Sequence, residues 1–301
     1  MIPRRVLVNA LLAAPAAARR NGRGKRVVFV VGDQEYRSEE SMPAFARLLE
    51  AHHGFQCRVL LPRDPQTGRV DPRTSNNLPG LEALDTADLM VLFLRFQELP
   101  DSQMKHIIGY TEQGRPVVAL RTSTHAFHYQ KNPASSYARY GYRSRDPEGG
   151  YGRLVLGETW VGHYGVHQKE STRGAPAPGM ERHPVLRGVK DVWGPSDVYA
   201  ITTLSGDAKP LLMGQVLAGM TPNSPPNPAK GPVPVAWIKT YKNARVFTTT
   251  MGHAGDFLNE GFRRMLVNAC YWAMGLENEI PRRAKVDFVT PYAPSPIGFR
   301  Q

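Results

Sequence analysis

The segment R-P-V-V-A-L-R-T-S-T-H-A-F-H, residues 115–128, decides the fold that the sequence predicts. It begins with a short apolar run from Pro116 to Leu120, which is typical of a strand buried on both faces of a parallel sheet. In an open α/β sheet, the loops at the carboxyl ends of the strands line the ligand crevice. The polar residues that follow this strand are therefore the first candidate site: Arg121, Thr122, Ser123, Thr124, His125 and His128. An ordinary polar turn with a Ser or Thr helix cap would produce the same pattern.

Strands and helices alternate on both sides of this segment. The apolar patterns predict strands at Arg26–Val31, Cys57–Leu61, Leu89–Leu94, Val198–Leu204, Leu211–Val216, Val233–Thr240 and Arg245–Thr250. They predict helices from Ser38 to His53, from Asp101 to Gly114 and from Phe257 to Met274. This order predicts an α/β fold: a flavodoxin-like, doubly wound, mainly parallel sheet with helices on both faces and long loop insertions at the strand carboxyl ends.

Composition restricts the class of protein further. The chain has 301 residues, of which 41% are hydrophobic and 21% charged, as expected for a globular protein. Its two cysteines, Cys57 and Cys270, exclude a disulfide scaffold. The net charge of +12 attracts polyanions, but no basic helix face or RNA-binding motif is present, so no specific nucleic-acid partner is predicted.

Three segments are predicted along the chain. Residues 1–24 form an export signal or basic leader, because Arg4 and Arg5 precede an apolar stretch that ends in small residues. Residues 25–277 form the α/β domain, and residues 278–301 form a Pro-rich tail. If the leader is a signal, the protein is periplasmic or extracellular, and otherwise it is cytoplasmic. No transmembrane segment is predicted, and a homo-oligomer is compatible with the sequence.

Several motifs resemble the ThuA-like (trehalose-utilisation) family. They are V-V-F-V-V-G-D at residues 27–33, A-L-R-T-S-T-H-A-F at 119–127, H-P-V-L-R-G-V at 183–189, and R-V-F-T-T-T-M-G-H with F-R-R-M-L-V-N-A-C-Y-W-A-M-G within 245–275. The resemblance spans roughly residues 25–277. It implies a flavodoxin-like core like that of class I glutamine amidotransferases, and a link to carbohydrate metabolism. It implies much less about the reaction.

The sequence argues against cysteine-dependent amidotransferase activity. That chemistry needs a Cys nucleophile on the tight turn after the strand at residues 116–120, and this turn contains only Thr and Ser. Ser123 could replace the Cys, but it lacks the small flanking glycines of a nucleophile elbow. Serine hydrolysis is therefore the weaker alternative.

His163 and His167 are spaced so that a helix would present both imidazoles to one metal ion. Gly162 and Gly165 argue against a helix, and no third ligand is obvious, although Glu158 and Glu170 are near in sequence. Three interpretations stay open: a divalent metal site, hydrogen-bonding groups in a polar pocket, and plain loop histidines. Apart from this open possibility of a divalent metal, the sequence predicts no cofactor.

Polar residues after separate strands are expected to meet in one crevice suited to a sugar. The candidate catalytic residues are His125, His163 and Asp33. The candidate substrate-binding residues are Glu35, Arg95, Arg121, Thr122, Ser123, Thr124, Trp160, His167 and His253. The predicted partner is a small carbohydrate, and a histidine could move a proton next to a ketone. The alternatives are a structural pair of Asp33 with Arg95 or with a buried Arg121, and a non-catalytic sugar-binding or scaffold protein.

Overall fold

A computed structural model describes residues 22–299. The strands are β1 (Arg26–Gly32), β2 (Gln56–Leu60), β3 (Leu89–Leu94), β4 (Val117–Leu120), β5 (Ser171–Pro176), β6 (Val192–Gly194), β7 (Lys209–Leu217), β8 (Val233–Tyr241) and β9 (Ala244–Thr249). The α-helices of the described residues are α1 (Ser38–His53), α2 (Asp101–Glu112) and α3 (Glu260–Ala273). The nine strands within residues 22–299 form one sheet in the order β2-β1-β3-β4-β9-β8-β7-β5-β6.

The sheet is mixed. From β2 to β9 the neighbouring strands are parallel, whereas β8, β7, β5 and β6 extend the sheet by antiparallel pairing. The strands β3 and β4 are buried along their whole length, as their continuous apolar runs predict. The predicted mainly parallel sheet is therefore confirmed for the centre, and the antiparallel extension is an addition to it.

Helices cover both faces of the parallel strands. Alternate residues of β1 point to opposite faces. Val27 and Phe29 belong to the core cluster that contains α1 and α3 side chains, and Val28 belongs to the cluster that contains those of α2. The sheet is thus the middle layer, and its carboxyl-end loops are left free to form a site.

Several element predictions are corrected by the structure. Residues 198–204 do not form a strand, because Tyr199 makes only an isolated bridge to His163. The strands β5 and β6 were not predicted, since S-T-R-G-A-P has no apolar alternation and its pairing partners are distant in the chain. Helix α3 begins at Glu260 rather than Phe257, because the side chain of Asn259 caps it by accepting a bond from the Phe262 amide.

Helix α1 begins at Ser38 as predicted, but the Ser38 side chain does not cap it. Ser38 is its first residue, not its cap, and Arg37 occupies the cap position in a left-handed conformation with φ +61°. The carboxylate of Asp33 accepts a hydrogen bond from the Ser38 amide at 3.0 Å. An acid from the preceding loop therefore satisfies a free amide of the first helical turn.

The tail packs near the carboxyl end of β1. Arg37 Nε donates to the carbonyl of Pro296 at 2.8 Å, and the Gly298 amide donates to the carbonyl of Glu35 at 3.0 Å. Most of the predicted leader lies outside the described residues. Within residues 22–299, no helix combines the length and apolar character that crossing a bilayer requires.

Candidate functional site

The candidate site lies at the carboxyl ends of the parallel strands. The loops after β1, β3, β4 and β9 meet there because these four strands are parallel neighbours. Two irregular segments, residues 157–170 and 195–199, approach the same edge and add further side chains. The residues that come together are Glu35, Tyr36, Arg95, Phe96, Arg121, His125, Trp160, His163, His167, Asp197 and Tyr199.

Arg121 is the buried anchor of the site. It follows β4 directly with φ +44°, and it is fully buried. Its guanidinium donates to Asp197 Oδ1 at 2.6 Å, to the Asp197 carbonyl at 2.6 Å and to the Thr250 carbonyl at 2.9 Å. The rings of Tyr36 and Tyr199 lie 4.6 and 4.0 Å from its Cζ atom. Because Arg121 has no exposed surface, it positions Asp197 in this structure rather than facing solvent.

A carboxylate–imidazole cluster, defined as Glu35, His163, His167 and Asp197, surrounds this anchor. Asp197 accepts hydrogen bonds from Nδ1 of His163 and, at 3.0 Å, from Nδ1 of His167. Nε2 of His167 lies 3.3 Å from Glu35 Oε1, and Arg95 lies 3.3 Å from Glu35 Oε2. His167 therefore bridges two carboxylates, and each carboxylate also contacts an arginine.

The charges of the cluster stabilise one another. Burial alone would raise the pKa of Asp197, but Arg121 and the two histidines outweigh it and hold this pKa well below its usual range. Burial also opposes ionisation of Glu35, yet its hydrogen bond with His167 and the charge of Arg95 lower its pKa. Hydrogen bonds to Asp197 and then to Glu35 raise the pKa of His167 to about 9. Both carboxylates are thus ionised at neutral pH.

An aromatic wall, defined as Phe96, His125, Trp160 and Tyr199, lines the site beside the cluster. The imidazole of His125 packs at 4.9 Å from Phe96, 5.0 Å from Trp160 and 6.0 Å from Tyr199, measured between ring centroids. Burial lowers the pKa of His125 well below its usual range, so its ring is neutral. Nε1 of Trp160 is shielded from solvent and has no hydrogen-bond partner among residues 22–299. A ligand could use this indole N–H as a donor once a movement of the ring exposes it.

Asp33 and His253 have local structural contacts. Asp33 is buried, and its carboxylate accepts bonds from the amides of Glu35, Tyr36 and Ser38 at 2.6 to 3.0 Å. His253 Nδ1 accepts a bond from the Gly255 amide at 2.6 Å, and burial lowers its pKa to about 4. Both side chains thus accept hydrogen bonds from backbone amides and stabilise the conformation of their loops. The geometry gives Asp33 a positioning task rather than the proton transfer expected from the sequence, and Arg95 pairs with Glu35 instead of Asp33.

The hydroxyl groups after β4 are buried and hold the turn against β3. Ser123 Oγ donates to the Leu92 carbonyl at 2.8 Å and accepts from the Leu94 amide at 3.3 Å. Thr124 Oγ1 donates to the Arg121 carbonyl at 3.4 Å, and Thr122 Oγ1 has no partner in the described part of the chain. The predicted sugar contacts of these three residues would therefore require the turn to move.

Neither cysteine lies at this edge of the sheet. Cys57 is in β2 and Cys270 is in α3, and burial raises the pKa of both thiols. A thiol is nucleophilic as the thiolate, which burial disfavours here. The position after β4 is occupied by Arg121, so the turn contains no sulfur nucleophile.

The sequence did not identify Asp197, the residue that joins the two histidines. The segment around His163 and His167 is not helical, as its glycines predict. The acids near in sequence point elsewhere: Glu158 pairs with Arg153 at 2.7 Å and Glu170 with Lys230 at 2.6 Å. Asp197 is some 30 residues further along, and no local pattern marks it. His163, His167 and Asp197 each offer an atom, all within 4.8 Å of one another, that could bind a metal ion.

Comparisons with known proteins agree with the fold. The ThuA family model, described as trehalose utilisation, matches residues 26–273. The crystal structure of a ThuA-like protein from Parabacteroides merdae aligns with a TM-score of 0.56 and 16% identity, over 92% of this chain and 97% of that chain. A ThuA-like protein from Bacteroides uniformis aligns with a TM-score of 0.51 and 18% identity, over 86% and 95%. No curated protein matches the chain. Because the family model covers most of its residues, this chain belongs to the ThuA (trehalose utilisation) family.

Proposed function

We propose that this protein binds a sugar or keto-sugar in the crevice at the carboxyl ends of the strands and acts on it by acid/base chemistry. The observation that carries the proposal is the carboxylate–imidazole cluster beside the aromatic wall. Ligand sites commonly combine apolar and aromatic surface with a few well-placed polar groups. Membership of a trehalose-utilisation family supports a carbohydrate as the ligand.

The fold supports this location. The parallel strands have the order β2-β1-β3-β4-β9, which corresponds to the flavodoxin-like order if β9 is counted as the fifth strand. Sheets of this kind bind ligands outside the carboxyl ends of their strands. In our proposal the sugar therefore lies over the loops after β1, β3 and β4.

Trp160 and Arg95 are the proposed binding groups. The ring of Trp160 provides a flat apolar surface for a sugar face, and its unpartnered N–H donates to a sugar oxygen after the ring shifts to expose it. The guanidinium of Arg95, 18% exposed in its side chain, can donate to a hydroxyl or carbonyl oxygen while it holds Glu35. His125 forms the buried back of the aromatic wall. We therefore propose that it shapes the binding surface and does not transfer a proton.

His163 is the proposed proton carrier among the described residues. Its side chain is 34% exposed, whereas Asp197 beside it is 1% exposed. Asp197 accepts from Nδ1, and this contact orients the ring so that Nε2 is left to exchange a proton with the ligand. Both thiols lie away from the site, and the Ser123 hydroxyl is hydrogen-bonded to the backbone of β3. Glutamine amidotransferase and serine hydrolase chemistry are therefore not part of the proposal.

Calorimetric binding tests the ligand class. The full chain is titrated with trehalose, its component sugar and keto-sugars, and the same titrations are repeated with Trp160→Ala. We expect the substitution to weaken binding by about tenfold or more, since it removes both the stacking surface and the donor. Trp193→Ala is the matched control, because Trp193 lies in β6 and its Nε1 donates to Ser171. Equal affinity in Trp160→Ala and wild type, or no binding by any sugar, rejects the proposal.

Turnover separates an enzyme from a sugar-binding protein. Product formation is measured for wild type and for His163→Gln, which keeps a hydrogen-bonding side chain but cannot carry the proton. We expect His163→Gln to retain binding and to lose turnover by about 100-fold or more. Sugar binding by wild type without any turnover would establish the non-catalytic alternative.

A further inference from the structure

We propose that His163, His167 and Asp197 form a binding site for a divalent transition-metal ion of the zinc type. One ligand atom from each residue can be chosen so that all three atoms lie within 4.8 Å of one another, which is close enough to surround a single ion. The proposal concerns what these three side chains bind. It does not require that the substrate be a sugar, and in the metal-bound protein His163 is a ligand of the ion rather than the proton carrier of the proposed function.

The donor set selects the class of ion. Two imidazoles and one carboxylate are ligands of catalytic zinc sites, in which three protein groups leave one position open. Imidazole also suits Co²⁺ and Ni²⁺, whereas Mg²⁺ and Ca²⁺ prefer sets made only of oxygen. The site is therefore expected to bind Zn²⁺ and Co²⁺ and to exclude Mg²⁺ and Ca²⁺.

The surrounding groups orient two of the three ligands, His167 and Asp197, as the outer contacts of metal sites commonly do. Glu35 lies 3.3 Å from His167 Nε2, which leaves Nδ1 of that ring for the ion. Arg121 donates to Asp197 Oδ1 at 2.6 Å, and Oδ2 is the oxygen that faces His163. His167 and Asp197 are thus each fixed through an atom that the ion does not need.

The two imidazole ligands are partly exposed, whereas the carboxylate ligand is buried. Asp197 is 1% exposed in its side chain, but His163 and His167 are 34% and 28% exposed. An ion can therefore enter past the imidazoles. The rings of Trp160 and Tyr199, 5.7 and 5.3 Å from the His163 ring, shield the flank of the site.

The charges around the site limit the affinity. Asp197 and Glu35 each contact an arginine, Arg121 and Arg95, so little net negative charge attracts the ion. Binding then depends mainly on the two imidazoles, which must lose the protons that they share with the carboxylates. We expect an exchangeable ion that chelators remove without unfolding the protein. Bound there, the ion would polarise a carbonyl oxygen or a water molecule.

Metal titration of the full chain is the direct test. The protein is treated with a chelator and dialysed, and Zn²⁺ and Co²⁺ are then titrated separately. We expect one ion per chain, and for Co²⁺ a visible absorption spectrum of a low-coordinate nitrogen–oxygen site. An excess of Mg²⁺ or Ca²⁺ should not displace Co²⁺. Failure of both ions to bind, or displacement by Mg²⁺, overturns the proposal.

Variants identify the ligands. His163→Ala and His167→Ala should each weaken Zn²⁺ binding by at least about 100-fold, and Glu35→Gln by about 10- to 100-fold, as outer-shell changes do. The matched controls are His52→Ala and His106→Ala, two histidines outside the cluster with one hydrogen-bond partner each. Unchanged Zn²⁺ affinity in both His163→Ala and His167→Ala overturns the proposal.

Two further measurements keep the outcomes distinct. Asp197→Asn also removes the ion-pair partner of the buried Arg121, so a loss of metal binding in this variant could result from unfolding. The melting temperatures of all variants are therefore recorded, and the ligand assignment is judged on the variants of the more exposed His163 and His167. Sugar binding is measured on metal-free protein. If no metal binds but sugar binding still depends on Trp160, the metal site is rejected and the proposed function stands. If metal binds and no sugar does, the proposed function is rejected and the metal site stands.

Discussion

The ion pairs at the two ends of the parallel strands differ in their exposure to solvent. At the amino ends, a cavity of about 410 Å³ is lined by residues that include Lys25, Asp88 and Arg245. Its ion pair, Lys25 with Asp88 at 3.1 Å, leaves 41% and 28% of the two side chains exposed. At the carboxyl ends, Arg121 and Asp197 form a pair at 2.6 Å with side chains 0% and 1% exposed.

Backbone strain follows the same division. Six non-glycine residues of the described chain have positive φ, and four of them, Arg37, Phe96, Arg121 and Gln168, lie at or beside the carboxyl-end site. The other two, Lys242 and Asn243, form the tight turn between β8 and β9. Buried charges and left-handed residues both cost free energy, and such costs concentrate at functional sites. In this protein, buried charges and left-handed residues are thus concentrated at the candidate site rather than at the cavity beside the amino ends.

The largest expected effect comes from breaking the buried pair. Arg121→Ala leaves Asp197 charged without its main partner, and we expect the free energy of unfolding to fall by about 3 to 5 kcal/mol. Lys25→Ala, the matched change at the amino ends, should cost less than about 1 kcal/mol because water solvates Asp88. Urea denaturation of both variants measures the difference. Similar losses in the two variants would remove the contrast between the ends.

A buried histidine near the amino ends makes stability depend on pH. His53 donates from Nε2 to the Lys285 carbonyl at 2.8 Å and accepts at Nδ1 from the Tyr271 hydroxyl at 3.1 Å, which requires a neutral ring. Burial lowers its pKa from 6.5 to about 4. The unfolded chain therefore binds the proton first, and stability that is present above pH 6.5 is lost as the pH falls toward 4.

The expected loss over this range is up to about 3 kcal/mol. Denaturation midpoints of wild type and His53→Gln are compared between pH 7 and pH 4. The variant should be less stable at pH 7 and should show a shallower decline. If both proteins decline in parallel, the acid sensitivity arises elsewhere.

Relief of strain at the carboxyl end should stabilise the fold slightly. Gln168 is exposed and has φ +58°, so Gln168→Gly removes a left-handed side chain at the cost of a more flexible unfolded chain. We expect a net gain of about 0.5 to 1 kcal/mol in urea denaturation. Asn243→Gly is the control, since Asn tolerates the left-handed conformation and should gain less. A loss of stability in Gln168→Gly would show that its contacts outweigh the strain.

The smallest effect on stability is expected at the tail. Phe299 is 62% exposed, and its ring centroid lies 5.3 Å from the guanidinium carbon of Arg95, so it stands near the mouth of the proposed sugar site. Phe299→Ala should change stability by less than about 0.5 kcal/mol and weaken sugar binding several-fold. Val289→Ala, which is 50% exposed and lies earlier in the tail, is the control for both measurements. An unchanged sugar affinity would separate the tail from the site.

Local patterns were sufficient for the central elements. The bounds of α1 and β3 were predicted correctly, because helical periodicity, the stop at Gly54 and a continuous apolar run are all signals within a few residues. The polar turn after β4 was identified for the same reason. The strands β5 and β6 were not, since their pairing depends on partners far along the chain rather than on their own residues.

The sequence by itself determined the family, the central parallel strands and the edge at which polar groups collect. Only the tertiary structure decided which of those groups meet. In the folded chain Arg121 is buried, and the side chains of Asp33 and Ser123 form hydrogen bonds with backbone groups. Asp197 lies in contact with the two histidines. The physical reason is that strand and helix signals act over a few residues, whereas burial and ion pairing depend on loops that join only when the sheet has formed.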